Sequence, residues 1–292
     1  MKGILLAGGM GTRLNPMTRV VSKQLLPVYD KPMIYYPLSI LMLSKIREIL
    51  VISTPRDLPL LKELLGDGSE LGMKLEYAVQ EHPTGIPESF VIAADFIAND
   101  SVCLVLGDNL FYGDGLSRII HEFQEPQKAL ILGYPVKNPG RYGVLELDED
   151  LKLARLVEKP RETRSNLAMV GLYVFPKGVH EVARELKPSK RGETEIVDVC
   201  NHYLRSGNLV HRILGRGFTW LDAGTPESLL EASAFVEAIQ QRQGFSIACI
   251  EEIAFRNSWI DENQLKDSIE RYKGSKYGQS LELVLKKGKS WY

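Results

Sequence analysis

Short apolar runs alternate with longer helical patterns over the first two thirds of the chain. The apolar runs are nearly continuous, which is typical of strands covered on both faces of a sheet. We predict strands at residues 3–7, 48–53, 75–79, 101–106 and 130–136. We predict helices between them at residues 32–45, 58–65, 87–96 and 116–123, with Pro32 and Pro87 in first turns. The alternation predicts an α/β fold with a doubly wound, mostly parallel, Rossmann-like mixed sheet.

The pattern changes from residue 141 onward. Two apolar runs flank Asp148-Glu149-Asp150 and predict a hairpin. Thr225, followed by Pro226, matches the residue types that begin helices, and the remaining sequence is mainly helical in period. We expect one domain, with an α/β core at residues 1–224 and a helical C-terminal appendage at residues 225–292. The other predicted elements are strands at 166–175, 210–214 and 218–221 and a helix at 179–186.

Composition and charge exclude several classes of protein. The 292 residues are 44% hydrophobic and 25% charged, which is ordinary for a globular protein. The net charge of −1, without a basic run, gives no electrostatic footprint for nucleic acid or an anionic membrane. Three scattered cysteines fit a reducing compartment and exclude a cysteine-rich zinc site. Since no stretch fits a signal peptide or reaches the ~18 apolar residues of a membrane helix, we expect a cytoplasmic protein.

A glycine-rich loop follows the first predicted strand, in the run Leu6-Ala7-Gly8-Gly9-Met10-Gly11-Thr12-Arg13-Leu14. Without Cβ atoms, backbone N–H groups can converge on an anion, and a nearby guanidinium adds donors suited to phosphate. Leu14 stands where a dinucleotide fingerprint has its third glycine, and no P-loop motif occurs in the chain. The loop favours phosphate binding over a turn that needs glycine only for its shape. Lys23 offers a second cation, with a solvated surface lysine as the alternative.

Two aspartates follow apolar runs. Asp108 comes directly after residues 104–107, and Asp222 ends residues 218–221. Ligands of open α/β sheets bind beyond the carboxyl ends of strands, and Mg²⁺ favours carboxylate and phosphate oxygens. The alternative for each aspartate is a turn former or a helix cap. The sequence alone does not bring the two together.

These motifs resemble those of a known family. The glycine loop, followed by Ser22-Lys23-Gln24-Leu25-Leu26-Pro27-Val28, is similar to the opening of sugar-nucleotide pyrophosphorylases. Residues 29–38 resemble specifically the bacterial glucose-1-phosphate thymidylyltransferases of that family. Further blocks extend the resemblance over nearly the whole chain, at residues 107–109, 141–144, 158–160, 191–193, 220–222 and 251–254.

The resemblance implies a reaction. A sugar phosphate would attack the α-phosphorus of dTTP in line, assisted by Mg²⁺, so that dTTP and α-D-glucose 1-phosphate give dTDP-glucose and pyrophosphate. The same chemistry with UTP or another sugar 1-phosphate is the alternative. A glycosyltransferase is disfavoured, because Asn109 and Leu110 follow Asp108 in place of an Asp-x-Asp motif. A non-catalytic nucleotide-sugar-binding paralogue is disfavoured because the cationic and acidic residues are retained.

The resemblance also implies roles for individual residues. Asp108 and Asp222 would hold Mg²⁺ and, with Arg13, Lys23 and Lys159, form the catalytic set. The nucleotide would contact Leu6, Gly8, Gly9, Gly11, Thr12, Arg13, Gln24, Gln80, Gly85 and Asp108. The sugar phosphate would contact Asn109, Tyr142, Gly143, Glu158, Lys159, Val170 and Arg191.

The C-terminal region carries two further implications of the resemblance. It would contribute to a homotetramer and to a second, regulatory nucleotide site, for which Arg216, Glu252 and Arg256 are the candidates. The alternative is a plain helical cap over one face of the sheet. One segment departs from the family pattern: Gly85-Ile86-Pro87-Glu88-Ser89 stands where Gly-Leu-Ala-Gln-Ala or Gly-Ile-Ala-Gln-Ala is usual. This places an acid near the expected base pocket and leaves base and sugar preference open.

Overall fold

A nine-stranded mixed sheet lies at the centre of the protein, in a computed structural model that describes residues 1–123 and 127–290. The strands are β1 (Lys2–Leu6), β2 (Pro27–Val28), β3 (Lys31–Pro32), β4 (Glu48–Ser53), β5 (Lys74–Val79), β6 (Val102–Leu106), β7 (Asn109–Tyr112), β8 (Ala129–Pro135), β9 (Gly143–Leu147), β10 (Leu153–Glu158), β11 (Leu167–Phe175), β12 (Leu209–Ile213) and β13 (Thr219–Asp222). The helices are α1 (Tyr35–Leu43), α2 (Leu58–Leu65), α3 (Glu88–Ile92), α4 (Ala94–Ile97), α5 (Leu116–His121), α6 (Val179–Arg184), α7 (Ile196–Arg205), α8 (Pro226–Gln243), α9 (Ile250–Arg256), α10 (Glu262–Arg271) and α11 (Lys276–Lys287).

The N-terminal half of the sheet is parallel. Strands β5, β4, β1 and β6 are adjacent in that order and all run the same way. Strand β11 then pairs antiparallel with β6, β8 and β9, while β10 pairs antiparallel with β9 and β12 parallel with β8. The predicted doubly wound α/β fold with a mixed sheet is confirmed.

The carboxyl ends of β1 and β6 meet at one edge of the sheet. Leu6 is in register with Leu106, and the N–H of Gly107 donates to the carbonyl of Leu6 over 2.8 Å. Beyond this edge, β7 pairs antiparallel with β13, with Asp222 opposite Asn109. The glycine loop and both aspartates therefore lie at the same edge.

Hydrophobic side chains fill both faces of the sheet. Ile4 and Leu5 point to opposite faces, as successive strand residues do, and both are fully buried. The face that holds Leu5 packs against α1 and against C-terminal residues such as Phe255 and Leu281. This double coverage explains why the strand sequences are continuously apolar.

The element predictions were most accurate where the pattern was local. Strand β4 and helix α2 match residues 48–53 and 58–65. The placement of Pro32 in a helix was wrong, because Pro32 lies in β3 opposite Pro27, and α1 begins at Tyr35. The predicted helix at 87–96 is two short helices, with Pro87 just before the first of them. Strand β7 and helix α7 were not predicted.

The C-terminal helices begin as expected. The side chain of Thr225 accepts a hydrogen bond from the N–H of Ser228, which caps α8. Because hydrophobic residues from both sides of residue 224 share one cluster, the division at that residue stays a prediction. Within residues 1–123 and 127–290, no helix combines the length and apolar character needed to cross a membrane.

Candidate active site

The glycine loop is shaped by one buried threonine. Gly11 has φ 59°, in the left-handed region that glycine adopts without steric penalty. The hydroxyl of Thr18 donates to the carbonyl of Gly11 over 2.8 Å and contacts Asn15 Oδ1 at 3.1 Å. A Cβ at Gly11 would lie 3.0 Å from the Thr18 methyl group. Both the backbone conformation and the close contact therefore call for glycine.

The segment that follows the loop contacts the residues just before α2. Arg56 donates two hydrogen bonds to the buried Asp57, at 2.7 and 2.9 Å. The same guanidinium approaches the carbonyls of Thr18 and Arg19 at 3.5 and 3.4 Å. A bidentate pair with a buried carboxylate fixes the guanidinium plane, so Arg56 restrains the backbone that carries Thr18.

Lys23 and Asp108 form an ion pair at the edge of the sheet. The ammonium of Lys23 donates to Asp108 Oδ2, and the amide of Asn109 donates to Oδ1 over 2.9 Å. The side chains of Lys23 and Asp108 are only 15% and 11% exposed. Burial raises the pKa of Asp108, but the charge of Lys23 and the two hydrogen bonds outweigh it, leaving this pKa below its ordinary value. The Asp108 carboxylate is thus held in its charged form.

Asn109 links this pair to two other strands. Its Oδ1 accepts hydrogen bonds from Trp220 Nε1 over 2.6 Å and from the N–H of Gly171 over 3.0 Å. Since all its contacts are buried, the Asn109 side chain has one orientation and one set of partners. Asn109 therefore holds β7, β11 and β13 in register around Asp108.

Asp222 reaches the same position from β13. The N–H of Ala223 donates to the carbonyl of Asp108 over 3.1 Å, which fixes the two segments side by side. Burial raises the pKa of Asp222, and the negative charge of Asp108 raises it further, against opposing effects of Lys23, Arg13 and Arg141. A Cβ at Gly224 would lie 2.7 Å from Arg13 Nη2 and 2.9 Å from Asp222 Oδ1. The two aspartates that the sequence left apart are neighbours.

The two carboxylates suit a divalent cation. Asp108 is buried and the Asp222 side chain is 13% exposed, the two repel each other, and each can supply hard oxygen ligands. Over the described residues, no group of three or more His, Cys, Asp or Glu could hold a metal ion. Two protein carboxylates, with the remaining positions left for phosphate and water, is the arrangement typical of Mg²⁺ bound together with a nucleotide.

A cavity of about 210 Å³ opens beside the glycine loop. The amide of Gln24 donates to the carbonyl of Gly8 over 3.3 Å, and a Cβ at Gly8 would lie 2.8 Å from Gln80 Oε1. Glycine at position 8 therefore lets the backbone approach Gln80 closely. The predicted nucleotide residues that line this cavity are Leu6, Gly8, Gly9, Gln24, Gln80, Gly85 and Asp108, together with Lys23.

The predicted sugar-phosphate residues form a second, more open group. Glu158 ends β10 and pairs with Lys159 at 3.3 Å and Arg191 at 3.4 Å. Burial raises the pKa of Glu158; the Lys159 charge opposes this, and the charge of Glu195 adds to it. The N–H of Lys159 donates to the carbonyl of Tyr142 over 3.0 Å, which brings the two strand ends together.

Val170 and Gly143 support this group from inside. Val170 is fully buried in β11, one residue before the Gly171 that bonds Asn109. A Cβ at Gly143 would lie 2.9 Å from Val197 Cγ2, so no larger residue fits there without displacement. The ring of Tyr142 packs edge-on against Trp220, with ring centroids 5.0 Å apart.

The candidates for a second site lie apart from this edge. Glu252 and Arg256 are buried and paired, with 2.7 Å between Glu252 Oε1 and Arg256 Nε. Both line a separate cavity of about 450 Å³ between α1, β7 and α9. Arg216 is exposed and next to Gly217, which lines the same cavity. Glu252 and Arg256 therefore lie together in this cavity, whereas Arg216 lies beside it and is not one of its lining residues.

Sequence reasoning missed three supporting residues. Thr18 and Arg56 shape the glycine loop, and Arg141 Nη2 lies 4.0 Å from Asp222 Oδ2. Arg141 falls in a block that resembles the family, so its position was marked in the sequence. No motif pointed to Arg56, because its role depends on a contact between the residues just before α2 and a segment 37 positions earlier in the chain.

Comparison with known proteins fits this geometry. A family described as nucleotidyl transferase matches residues 2–239, and the chain belongs to this family. A Neisseria meningitidis protein named glucose-1-phosphate thymidylyltransferase is 52% identical over 288 residues, covering 98% of this chain and 100% of the relative. A Mycobacterium tuberculosis protein of the same name is 50% identical over 281 residues, covering 96% and 98%.

Solved structures agree with the fold. A Bacillus anthracis protein assigned as a glucose-1-phosphate thymidylyltransferase is 38% identical, with a TM-score of 0.75 over 80% of this chain and 94% of that one. A UDP-glucose pyrophosphorylase in complex with UDP-glucose gives a TM-score of 0.72 over 83% and 99%. Its identity of 22% shows a common fold only.

Proposed function

We propose that the protein transfers a thymidylyl group from dTTP to α-D-glucose 1-phosphate, giving dTDP-glucose and pyrophosphate. The observation that carries the proposal is the meeting of Asp108 and Asp222 beside a glycine loop and Lys23. Relatives with this activity in their names, about half identical over nearly the full chain, support it.

The chemistry needs positioning more than proton transfer. The attacking group is a phosphate oxygen that already carries negative charge, so no strong general base is required. The protein has to bring two anions together and align them for in-line attack at the α-phosphorus. The backbone amides of the glycine loop, with Thr12, Arg13 and Lys23, bind the triphosphate. Lys159 and Arg191 bind the phosphate of the sugar.

Asp108 and Asp222 would hold Mg²⁺. When bound, the ion neutralises negative charge on the phosphate oxygens while pyrophosphate leaves. Lys23 pairs with Asp108 in the structure, and in the complex it exchanges this partner for a phosphate oxygen. Arg13 lies close to Asp222, and its charge, like that of Lys23, acts on that carboxylate.

The remaining site residues orient the two substrates. Gln24 and Gln80 contact the base beside Gly85. Asn109, Tyr142 and Glu158 contact the sugar hydroxyls, within a pocket that also includes Gly143 and Val170. The rigid hydrogen bonds of Asn109 leave little freedom in its position, which suits a residue that aligns a substrate.

The proposal extends to the C-terminal region. Residues 225–292 contribute to a homotetramer, and Glu252 and Arg256, with Arg216, form a second, regulatory nucleotide site. The separate cavity beside Glu252 and its buried ion pair support the second site. Light scattering after gel filtration tests the assembly. A tetramer-sized particle is expected, and a monomer at micromolar concentration would contradict it.

Pyrophosphate release tests the activity. The purified protein is incubated with dTTP and glucose 1-phosphate, with Mg²⁺ or with excess EDTA. Pyrophosphate and dTDP-glucose should form in equal amounts and only with the metal. Glucose in place of glucose 1-phosphate is the matched control, since it lacks the attacking group. UTP, and other sugar 1-phosphates, test the alternative substrates. A lower kcat/KM with dTTP and glucose 1-phosphate than with another pair would replace the proposed substrates.

A further inference from the structure

The side-chain amide of Gln80 is hydrogen-bonded to an acidic residue, Glu88. Gln80 is 4% exposed, and its amide nitrogen donates to Glu88 Oε2 over 2.6 Å and to the carbonyl of Gly85 over 3.3 Å. A carbonyl oxygen and an ionised carboxylate both only accept hydrogen bonds. Both hydrogens of the Gln80 amide are therefore engaged by Glu88 and Gly85, and the nitrogen has no hydrogen left to donate to a nucleotide.

This arrangement fixes which atom of Gln80 faces the cavity. With the nitrogen committed to Glu88 and Gly85, the oxygen Oε1 lies on the opposite side, against the glycine loop. A Cβ at Gly8 would be 2.8 Å from this oxygen. If the Gln80 amide were rotated by 180°, its oxygen would face two acceptors, the Gly85 carbonyl and the Glu88 carboxylate. Both hydrogen bonds would be lost at a buried position, which is energetically unfavourable. The wall of the cavity thus presents a hydrogen-bond acceptor.

We propose that Glu88 is a specificity-determining positioning residue for the base. By fixing the amide of Gln80, it makes the cavity accept a hydrogen bond from a base that carries an N–H group at ring position 3. Thymine and uracil have this N–H, whereas cytosine has an unprotonated acceptor nitrogen there. This inference rests on the proposed function and adds the origin of its base preference.

Glu88 itself is firmly placed. It is the first residue of α3, and Pro87 before it has φ −58°. The hydroxyl of Thr84 donates to the same oxygen, Glu88 Oε2. Thr84 in turn is paired through its carbonyl with the N–H of Thr194 over 2.8 Å. The carboxylate is therefore turned toward Gln80 and Thr84.

This arrangement gives a physical consequence to Glu88, which stands where the resembled family usually has glutamine. A glutamine at position 88 can offer either its oxygen or its nitrogen to Gln80, whereas an ionised carboxylate offers only acceptors. The acid narrows the choice to one orientation of Gln80. The contact does not involve the 5-methyl group, so it discriminates against cytosine and treats thymine and uracil alike.

The test compares dTTP with dCTP in the full-length protein. The variant Glu88→Met removes the acceptor and keeps an unbranched side chain of similar length; Glu88→Ala is measured beside it in case Met disturbs folding. The matched control is Thr84→Val, which removes a hydrogen bond to the same carboxylate oxygen and leaves Gln80 its partner. Glu88→Gln tests rescue, since its side-chain oxygen can still accept the hydrogen bond from the Gln80 amide, which Met and Ala cannot do. Calorimetry gives the dissociation constants, and pyrophosphate release gives kcat and KM separately.

We expect Glu88→Met and Glu88→Ala to lower the preference for dTTP over dCTP about tenfold, the weight of one hydrogen bond of ordinary strength. The change should fall on the dissociation constant and KM, with kcat little altered. Thr84→Val and Glu88→Gln should stay within about threefold of the parent. An unchanged preference in both Met and Ala variants overturns the inference, as does an equal loss in Thr84→Val. Because binding is measured independently, failure of turnover with glucose 1-phosphate counts against the proposed function alone.

Discussion

The two halves of the candidate site are built differently. In the half that we propose for the nucleotide (the nucleotide half), Lys23 and Asp108 are 15% and 11% exposed. Asn109, which donates to Asp108, accepts hydrogen bonds from two further strands. In the half that we propose for the sugar phosphate (the sugar-phosphate half), Lys159 and Arg191 are 43% and 42% exposed and share one carboxylate, Glu158. Both halves contain ion pairs between basic and acidic side chains, but only in the nucleotide half are both partners of the pair largely shielded from solvent.

The difference has an energetic consequence. Charges close together in a poorly solvated region interact strongly, and removing one leaves the other costly to bury. Exposed ion pairs are screened by water and salt and contribute about 0–1 kcal/mol. We therefore expect the nucleotide half to be more sensitive to substitution than the sugar-phosphate half. Four predictions follow from this contrast, from the largest effect to the smallest.

The largest effect should come from the two aspartates proposed to hold the metal, Asp108 and Asp222. Asp108→Asn and Asp222→Asn should each lower kcat about a thousandfold, because each loses charge that would hold the metal. Lys159→Ala should instead raise the KM for glucose 1-phosphate about tenfold, as expected for one charge-assisted phosphate contact. Steady-state kinetics of pyrophosphate release measures both. Asp150→Asn, in an exposed turn, is the control. Near-normal kcat in either aspartate variant would remove that carboxylate from the mechanism.

The second largest difference between the halves should appear in the free energy of unfolding. In metal-free buffer, Lys23→Met should lower the free energy of unfolding by roughly 3 kcal/mol, because Asp108 stays buried without its partner. Lys159→Met should change it by less than about 1 kcal/mol. Urea denaturation in EDTA measures the difference. Adding Asp108→Asn to Lys23→Met should restore part of the loss, since no unpaired charge remains. Equal losses in the two lysine variants would show that burial does not distinguish the halves.

Much of the fold could be predicted from the local pattern of hydrophobic and polar residues. The errors arose where contacts between distant parts of the chain determine the structure. Strand β4 and helix α2 were predicted to the residue. Helix α1 was predicted to begin too early, because every residue from 35 to 42 is buried and no polar face marks its start. Pro32 matches a helix start by type, but the pairing of β2 with β3 takes it into a strand.

The site divides along the same line. The glycine loop and Asp108 were predicted as site candidates because each directly follows a strand of the parallel sheet. The proximity of Asp222 could not be derived, since it depends on pairing between β7 and β13, whose contacting residues Asn109 and Trp220 are 111 positions apart. The acceptor role of Glu88 was also hidden, because the sequence placed an acid near the pocket without showing which way it points.

Salt should affect the two substrates unequally. Between about 0.05 and 0.5 M salt, the KM for glucose 1-phosphate should rise severalfold, because the Debye length falls below the spacing of exposed charges. The KM for dTTP should rise less, since backbone amides and the buried Lys23 are less screened. Initial rates at constant free Mg²⁺ measure both. Choline chloride in place of sodium chloride separates ionic strength from ion-specific effects. A larger salt effect on dTTP would reverse the assignment of exposed and buried cations.

The smallest effect concerns Glu158, whose burial is only partly offset by its two cations. Burial raises the pKa of Glu158 in the folded protein, so the folded state holds its proton at pH values where the unfolded chain, with a pKa of about 4.3, has lost it. The stability contributed by this residue is therefore full below the unfolded pKa and decreases as pH rises through the folded pKa. Glu158→Gln removes that decrease, so the variant should gain stability relative to the parent between pH 4 and pH 7. Urea midpoints across this range measure it, with Glu149→Gln in the exposed hairpin turn as the control. If Glu158→Gln instead loses stability relative to the parent as pH rises, Lys159 and Arg191 outweigh burial. The ion pairs of the sugar-phosphate half would then stabilise the fold as those of the nucleotide half do.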